Sequence, residues 1–291
     1  MSVSLWRTSR FAIDLARPRV MAIVNVTPDS FSDGAPEITP ALAIARCEQL
    51  LQDGADILDI GGESSRPGAL PVDAETELAR VRPVLAAAVG LGCPISIDTT
   101  KPEVMRAALD LGADIVNDIA ALRTPGAIAA VAAHPRCGVC LMHMRGTPRS
   151  MQSRTDYGDV VGEVAAFLRE RVDAATAAGI ARERVVVDPG VGFGKTPAQN
   201  LELLARQDEL LALGVPLLAG WSRKSALARV IGIDTTSPAE RTPAERARLE
   251  AASVAAAVLA VQRGAVVVRV HDVAATVAAL AVWRAATPPV R

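Results

Sequence analysis

Short apolar runs that stop at a polar side chain, each followed by a helix-length stretch, recur eight times along this chain. No other feature restricts the possible folds as tightly. The run from Val20 to Asn25 sets the pattern, and the loop-forming stretch Thr27-Pro28-Asp29-Ser30-Phe31-Ser32-Asp33-Gly34 follows it. A continuous apolar run fits a strand covered on both faces, as in a parallel sheet. The other runs fall near 55–60, 94–98, 113–117, 138–142, 184–188, 216–220 and 265–270. The intervening patterns predict helices at 39–53, 73–90, 102–111, 125–133, 158–179, 197–213, 222–231, 243–263 and 273–286.

Internal echoes mark the same joints. Gly54-Ala55-Asp56-Ile57 and Gly112-Ala113-Asp114-Ile115 each sit where a helix gives way to a strand. Leu91-Gly92-Cys93-Pro94 and Leu213-Gly214-Val215-Pro216 do the same. Glycine suits the left-handed position after a helix, and proline prevents the helix from continuing. Eight β-then-α units in about 250 residues match a (β/α)8 TIM barrel. An open doubly wound sheet is the alternative, weakened because no G-x-G-x-x-G follows the first strand. A short alternating segment, Trp6 to Asp14, predicts a strand or hairpin ahead of the barrel. No Gly/Ser or charged linker divides the chain. We therefore expect a single domain over 1–291, with an extension at 1–19 and the barrel at 20–286.

Composition narrows the partners. Half the residues are hydrophobic, enough for a large core, and the net charge is -1. Near-neutral charge and 3% aromatic content argue against nucleic acid or an acidic membrane surface. Met1 to Asp14 lacks an apolar targeting core, and the apolar run Ala251 to Val261 is too short to span a bilayer. Four cysteines in so long a chain make no disulfide framework, so a cytoplasmic location is expected.

In an α/β barrel the active site lies at the C-terminal strand ends. Here those ends present Asn25; Asp59 and Gly61 to Gly68; Asp98 and Thr99; Asn117 and Asp118; His143; Asp188; Ser222 to Ser225; and Arg269 to His271. Any one of these fits a structural cap or salt bridge. Eight polar ends on otherwise apolar strands are hard to explain by structure alone. Asp98, Asn117, Asp188 and Lys224 suit the edge of a flat heterocycle, since a carboxylate accepts a pair of N–H bonds. Asn25, Ser65, Arg66, Arg269 and His271 suit an anion, and Arg269 can fork onto phosphate or stack on a ring. No carboxylate cluster chelates a metal, so any Mg2+ would be shared with substrate phosphates. Two other motifs have plainer readings. Cys137 and Cys140 have CxxC spacing at the start of a strand and read as buried small hydrophobes. Gly190 to Thr196 looks like a P-loop, but Pro189 stands where the motif needs glycine, so Lys195 reads as a loop residue.

Taken together, NVTPDSFSDG, DIGGESSRPG, SIDTTKPEV, IVNDI, LMHMRGTP, VVVDPGVGFGKT, SRKS and RVHDV resemble dihydropteroate synthase over residues 20–275. The resemblance implies condensation of 6-hydroxymethyl-7,8-dihydropterin pyrophosphate with p-aminobenzoate, releasing pyrophosphate with Mg2+. It implies that Asn25 holds the Mg2+–pyrophosphate. Asp98, Asn117, Asp188, Lys224 and Arg269 would bind pterin, with Phe193 beside the pocket. Arg269 and His271 would also touch pyrophosphate, joined by Ser65 and Arg66. Phe31, Ser65, Arg66, Pro67 and Ser225 would surround p-aminobenzoate, where sulfonamides compete. Asp98, Arg269 and His271 are the expected catalytic residues. Ser65 stands where the family more often has Thr, and Trp221 is bulkier than expected. An aromatic amine is already neutral, so a dissociative, SN1-like displacement is expected. Burial on the barrel accounts for Ala251 to Val261, as does a homodimer helix, and the resemblance implies a dimer. The rival readings are a pterin-dependent methyltransferase barrel and a non-catalytic pterin-binding paralogue.

Overall fold

The computed structural model describes residues 5–27, 39–66, 68–236 and 240–287. Two short strands come first, β1 (Leu5–Arg7) and β2 (Ala12–Asp14), paired antiparallel as the expected hairpin. The barrel strands follow: β3 (Arg19–Asn25), β4 (Ile57–Gly61), β5 (Ile95–Asp98), β6 (Ile115–Asp118), β7 (Gly138–Met142), β8 (Val185–Asp188), β9 (Leu218–Ala219) and β10 (Val267–Val270). They pair in parallel in the order β8-β7-β6-β5-β4-β3-β10-β9. The ring closes where Val187 bridges Leu217 and the Val187 amide donates to the Pro216 carbonyl at 3.0 Å. This is a (β/α)8 TIM barrel.

The helices are α1 (Pro40–Gln52), α2 (Ala74–Ala88), α3 (Pro102–Asp110), α4 (Ala127–Ala132), α5 (Val160–Ala177), α6 (Pro197–Ala205), α7 (Ser225–Val230), α8 (Pro243–Gln262) and α9 (Val273–Ala286). Their starts are written locally. Proline opens α1, α3, α6 and α8, where its missing N–H costs nothing. Thr196 with Gln199, and Thr242 with Glu245, form reciprocal capping boxes. Some expected elements change. The helix predicted over 197–213 breaks at Arg206 and continues as a 3-10 turn, Gln207–Leu213. The strand predicted over 216–220 shrinks to Leu218–Ala219, because Pro216 has no amide to donate to a ladder. No helix among the described residues is long and apolar enough to cross a membrane.

Strand alternation sorts the side chains into two layers. Outward residues such as Val20, Leu58, Ile97, Val139 and Val187 pack under the helices in the larger core. Inward residues Met21, Ile57, Ile115, Cys140, Val186, Leu218 and Val267 fill the lower barrel, and Trp6, Ile13 and Leu15 of the hairpin close its floor. Trp6 is fully buried and its Nε1 donates to the Arg184 carbonyl at 2.9 Å. A tryptophan so placed contributes roughly 3–5 kcal/mol against truncation. Two residues further along the same inward faces, apolar gives way to polar. Ile57 is followed by Asp59, Ile115 by Asn117, Val186 by Asp188 and Val267 by Arg269. That switch delivers a polar layer to one end of an otherwise dry barrel.

Candidate active site

Arg269 lies at the centre of the polar layer. Its Nε donates to Asp59 Oδ2 at 2.6 Å and its Nη2 to Asp98 Oδ2 at 2.6 Å. Asn117 donates to the same Asp59 oxygen at 3.0 Å. Burial pushes the Asp98 carboxyl up to about 7; Arg269 pulls against it, and Asp59 adds to the rise. Asp118, next on β6, does a different job. Both its oxygens accept backbone amides, from Ala120 and Leu122 at 2.7 Å, and so hold a turn with positive φ at Ala121 and Leu122.

The loop after β8 forms the facing wall. Asp188 Oδ1 accepts the Gly190 amide at 2.7 Å, and burial raises its pKa. Lys224 Nζ lies 4.3 Å from the centre of the Phe193 ring, a cation–π contact. Burial lowers Lys224 to about 8, while the charges of Asp188, Arg269 and Asp98 all reach it. Gly190 is irreplaceable in shape: its φ is +69°, and an added Cβ would lie 1.9 Å from the His143 carbonyl oxygen.

Lys195 fastens this loop from within. The residue is 3% exposed, and its Nζ meets Gly190 O at 2.9 Å, Phe193 O at 3.1 Å and His143 Nδ1 at 2.9 Å. Three acceptors match the three protons of an ammonium. Burial pulls Lys195 down to about 7, and burial plus the Lys195 charge push His143 down to about 2. His143 is thus a neutral acceptor packed edge-on against Phe167. Lys195→Met strands these acceptors. It is expected to cost about 3 kcal/mol, lowering Tm by roughly 5–10 °C in a calorimetric scan.

The rim carries the remaining candidates. His271 Nδ1 lies 2.9 Å from Ser222 Oγ, and burial, Arg223, Arg269 and Arg66 all hold its pKa low. Arg223 has φ +58° and pairs with Asp272, so α7 begins only at Ser225 rather than at 222 as predicted. Ser225 and Arg66 are exposed, and Ser65 and Asn25 are half-buried. The loop bearing Ser65 is tied down by Lys101, which bridges Glu63 and the fully buried Glu77 at 2.5 and 2.6 Å. Phe31 and Pro67 lie outside the described residues, as does most of the loop-forming stretch from Thr27 to Gly34.

Asp98, Asn117, Asp188, Lys224, Arg269 and Phe193 therefore share one mouth, with His271 and Arg66 at its edge. A second cleft of about 840 Å3, lined by Arg123, His143, Arg145 and Phe167, flanks the β7 side, but none of those convergent groups lines it. Lys195 and Asp59 were not given roles from sequence. The signal for Asp59 was present, since it shares an inward face with Ile57 and Gly61. Trp221 is explained by packing: it is buried with Val191, Leu204, Leu227 and Leu249 between the ring and α8. Cys137 and Cys140 are buried free thiols, and burial raises both pKa values.

A parallel barrel with carboxylates, a carboxamide, a lysine and an arginine converging on one end has the makings of an enzyme site for a small polar molecule. The family described as pterin binding enzyme matches residues 21–271. A Neisseria meningitidis serogroup C dihydropteroate synthase is 50% identical over 288 residues, 98% of each chain. A Xanthomonas albilineans dihydropteroate synthase solved with 4-aminobenzoic acid is 52% identical, with TM-score 0.85 over 95% of this chain and 96% of that one. A Burkholderia cenocepacia dihydropteroate synthase complexed with 7,8-dihydropteroate is 48% identical, with TM-score 0.85 over 97% and 96%. This chain belongs to the dihydropteroate synthase family of pterin binding enzymes.

Proposed function

We propose that this enzyme joins 6-hydroxymethyl-7,8-dihydropterin pyrophosphate to p-aminobenzoate, yielding 7,8-dihydropteroate and pyrophosphate. The observation that carries this reading is the buried cluster of Asp98, Asn117, Asp188 and Lys224 around Arg269. These groups suit an amino-pyrimidinone edge, with carboxylates accepting its N–H pair and Asn117 and Lys224 serving its carbonyl and ring nitrogen. Related proteins solved with 4-aminobenzoic acid and with 7,8-dihydropteroate support it. Sulfonamide binding at this site is proposed likewise, a Yersinia pestis relative having been solved with such a drug.

In the proposed step the C–O bond to the pyrophosphate breaks first, and the leaving group takes the electron pair. The pterin methylene gains positive character, which the Asp98 carboxylate stabilises. The amine nitrogen then forms the new C–N bond and gives up its proton to solvent. Arg269 and His271 stabilise charge gathering on the leaving oxygens. Ser65, Arg66 and Ser225 would frame the benzoate, with Ser65 and Arg66 also reaching the anion. Asn25, half-buried at the end of β3, shares the inward face of Met21 and brings a carboxamide to the mouth. No cluster of three or more His, Cys, Asp or Glu among the described residues could hold a metal alone. That donor set fits an ion carried with the diphosphate, which keeps most of its ligands from phosphate and water. Mg2+, when bound, would neutralise leaving-group charge.

A cytoplasmic setting is supported by four free cysteines. A homodimer is proposed through α8, where Ala251, Ala255 and the 44%-exposed Leu259 lie on its outer side. The test is pyrophosphate release from purified enzyme, omitting pterin substrate, p-aminobenzoate and Mg2+ in turn. Release that needs all three, with dihydropteroate formed and a sulfonamide blocking it, is the expected result. Tight pterin binding without turnover would place the chain among non-catalytic paralogues. The presence of a polar side chain at every strand end speaks against that outcome.

A further inference from the structure

We propose that Asp59 is the positioning residue of this site, the fixed pivot that orients Arg269 and Asn117 toward the substrate. This rests on the function just proposed.

Asp59 is fully buried, one step deeper in the barrel than Asp98. One of its oxygens, Oδ2, takes both Arg269 Nε at 2.6 Å and Asn117 Nδ2 at 3.0 Å. The other, Oδ1, is buried without a partner among the described residues. Asp59 therefore fixes two pterin-facing side chains at once through a single atom. Asp98 keeps 12% of its side chain exposed and spends Oδ2 on Arg269 Nη2. With Nε held on Asp59, the guanidinium is fixed so that Nη2 meets Asp98 and 20% of the side chain faces the mouth. Without Asp59, Asp98 would be the only carboxylate in contact with Arg269 among the described residues, and nothing would set the angle at which the guanidinium enters the mouth.

Electrostatics supplies a signature that loss of packing lacks. The charged groups around Asp98 are Arg269 on β10, Asp59 on β4, Glu77 on α2, Asp118 on β6 and Lys224 before α7. Asp59 raises the Asp98 pKa and Arg269 lowers it. Removing the Asp59 charge subtracts the first influence and concentrates the second. Both changes move Asp98 the same way, toward lower pKa.

The experiment is the near-isosteric Asp59→Asn variant, assayed by pyrophosphate release across pH, with calorimetric titration of the pterin pyrophosphate. KM for the pterin substrate is expected to rise about tenfold, equivalent to about 1.4 kcal/mol, with KM for p-aminobenzoate unchanged. The acid limb of kcat/KM for the pterin should move to lower pH. Asp59→Ser should behave likewise and serves if the first variant folds poorly. An acid limb that stays in place, or equal losses for both substrates, would overturn the pivot. So would failure of both variants to fold, which makes Asp59 a requirement of folding. If wild-type enzyme binds the pterin but does not turn it over, the catalytic reading falls. The pivot is then judged by the pterin affinity ratio and its pH dependence in the same titration.

Discussion

An Arg269→Met enzyme is expected to lose about 10²–10³-fold in kcat/KM and roughly 3–5 kcal/mol of stability. The first loss follows from removing the cation proposed to stabilise the departing phosphate. The second follows because the guanidinium holds two buried carboxylates, Asp59 and Asp98, and its removal leaves both without their cation. The losses separate by pH. Burial already raises Asp98 to about 7 against the pull of Arg269, so without that pull it rises further. A carboxyl whose folded pKa exceeds its unfolded value of about 3.9 favours the fold while protonated; that stability fades as pH rises through the folded pKa. Stability of the variant should thus keep falling above pH about 7, where the wild-type contribution has levelled off. Thermal melts of both proteins at pH 6 and pH 9 measure this. A deficit equal at the two values would show that Asp98 does not depend on Arg269.

Gly190→Ala should be the most damaging Gly→Ala change among the described residues. The residue has φ +69°, and the new carbon would lie 1.9 Å from the His143 carbonyl oxygen. Neither a rotamer change nor a flexible neighbour relieves a clash with backbone. The loop must shift, taking with it the amide that Asp188 accepts and the carbonyl that Lys195 holds. A cost of about 4 kcal/mol or more follows. The expected outcome is little soluble protein, or a folded product whose pterin affinity is lost. A Gly190→Ala enzyme with wild-type melting temperature and kinetics would mean the loop tolerates another path.

The barrel was legible because its determinants are local. Apolar runs of strand length, glycine at helix ends and proline at helix starts are all read within a few residues. The runs at 138–142 and 273–286 fall on β7 and α9 as observed. Where a local rule met tertiary demand, the reading slipped, as at Pro216 and Arg223. The candidate residues were legible for a related reason: strand ends converge in a barrel, so naming the ends names the mouth. The partners were not legible. Asp59 and Arg269 are 210 positions apart, and nothing near either one announces the other. Lys195 lies in a loop as read, but its hold on two carbonyls and an imidazole was not legible, since every residue carries a carbonyl. Trp221 needed the shape of the space between the ring and α8 before its bulk made sense.

The indole of Trp6 meets the Arg184 carbonyl across a separation of 178 residues. Seen as a history of assembly, that contact is a waiting relationship. The hairpin cannot seat its tryptophan until strands made much later are present. The floor is thus closed by an earlier part of the chain joining later ones, a long-range closure that slows folding. A growing chain would expose this tryptophan until those strands are made, and a blue shift of its fluorescence would report the moment the vessel acquires a bottom.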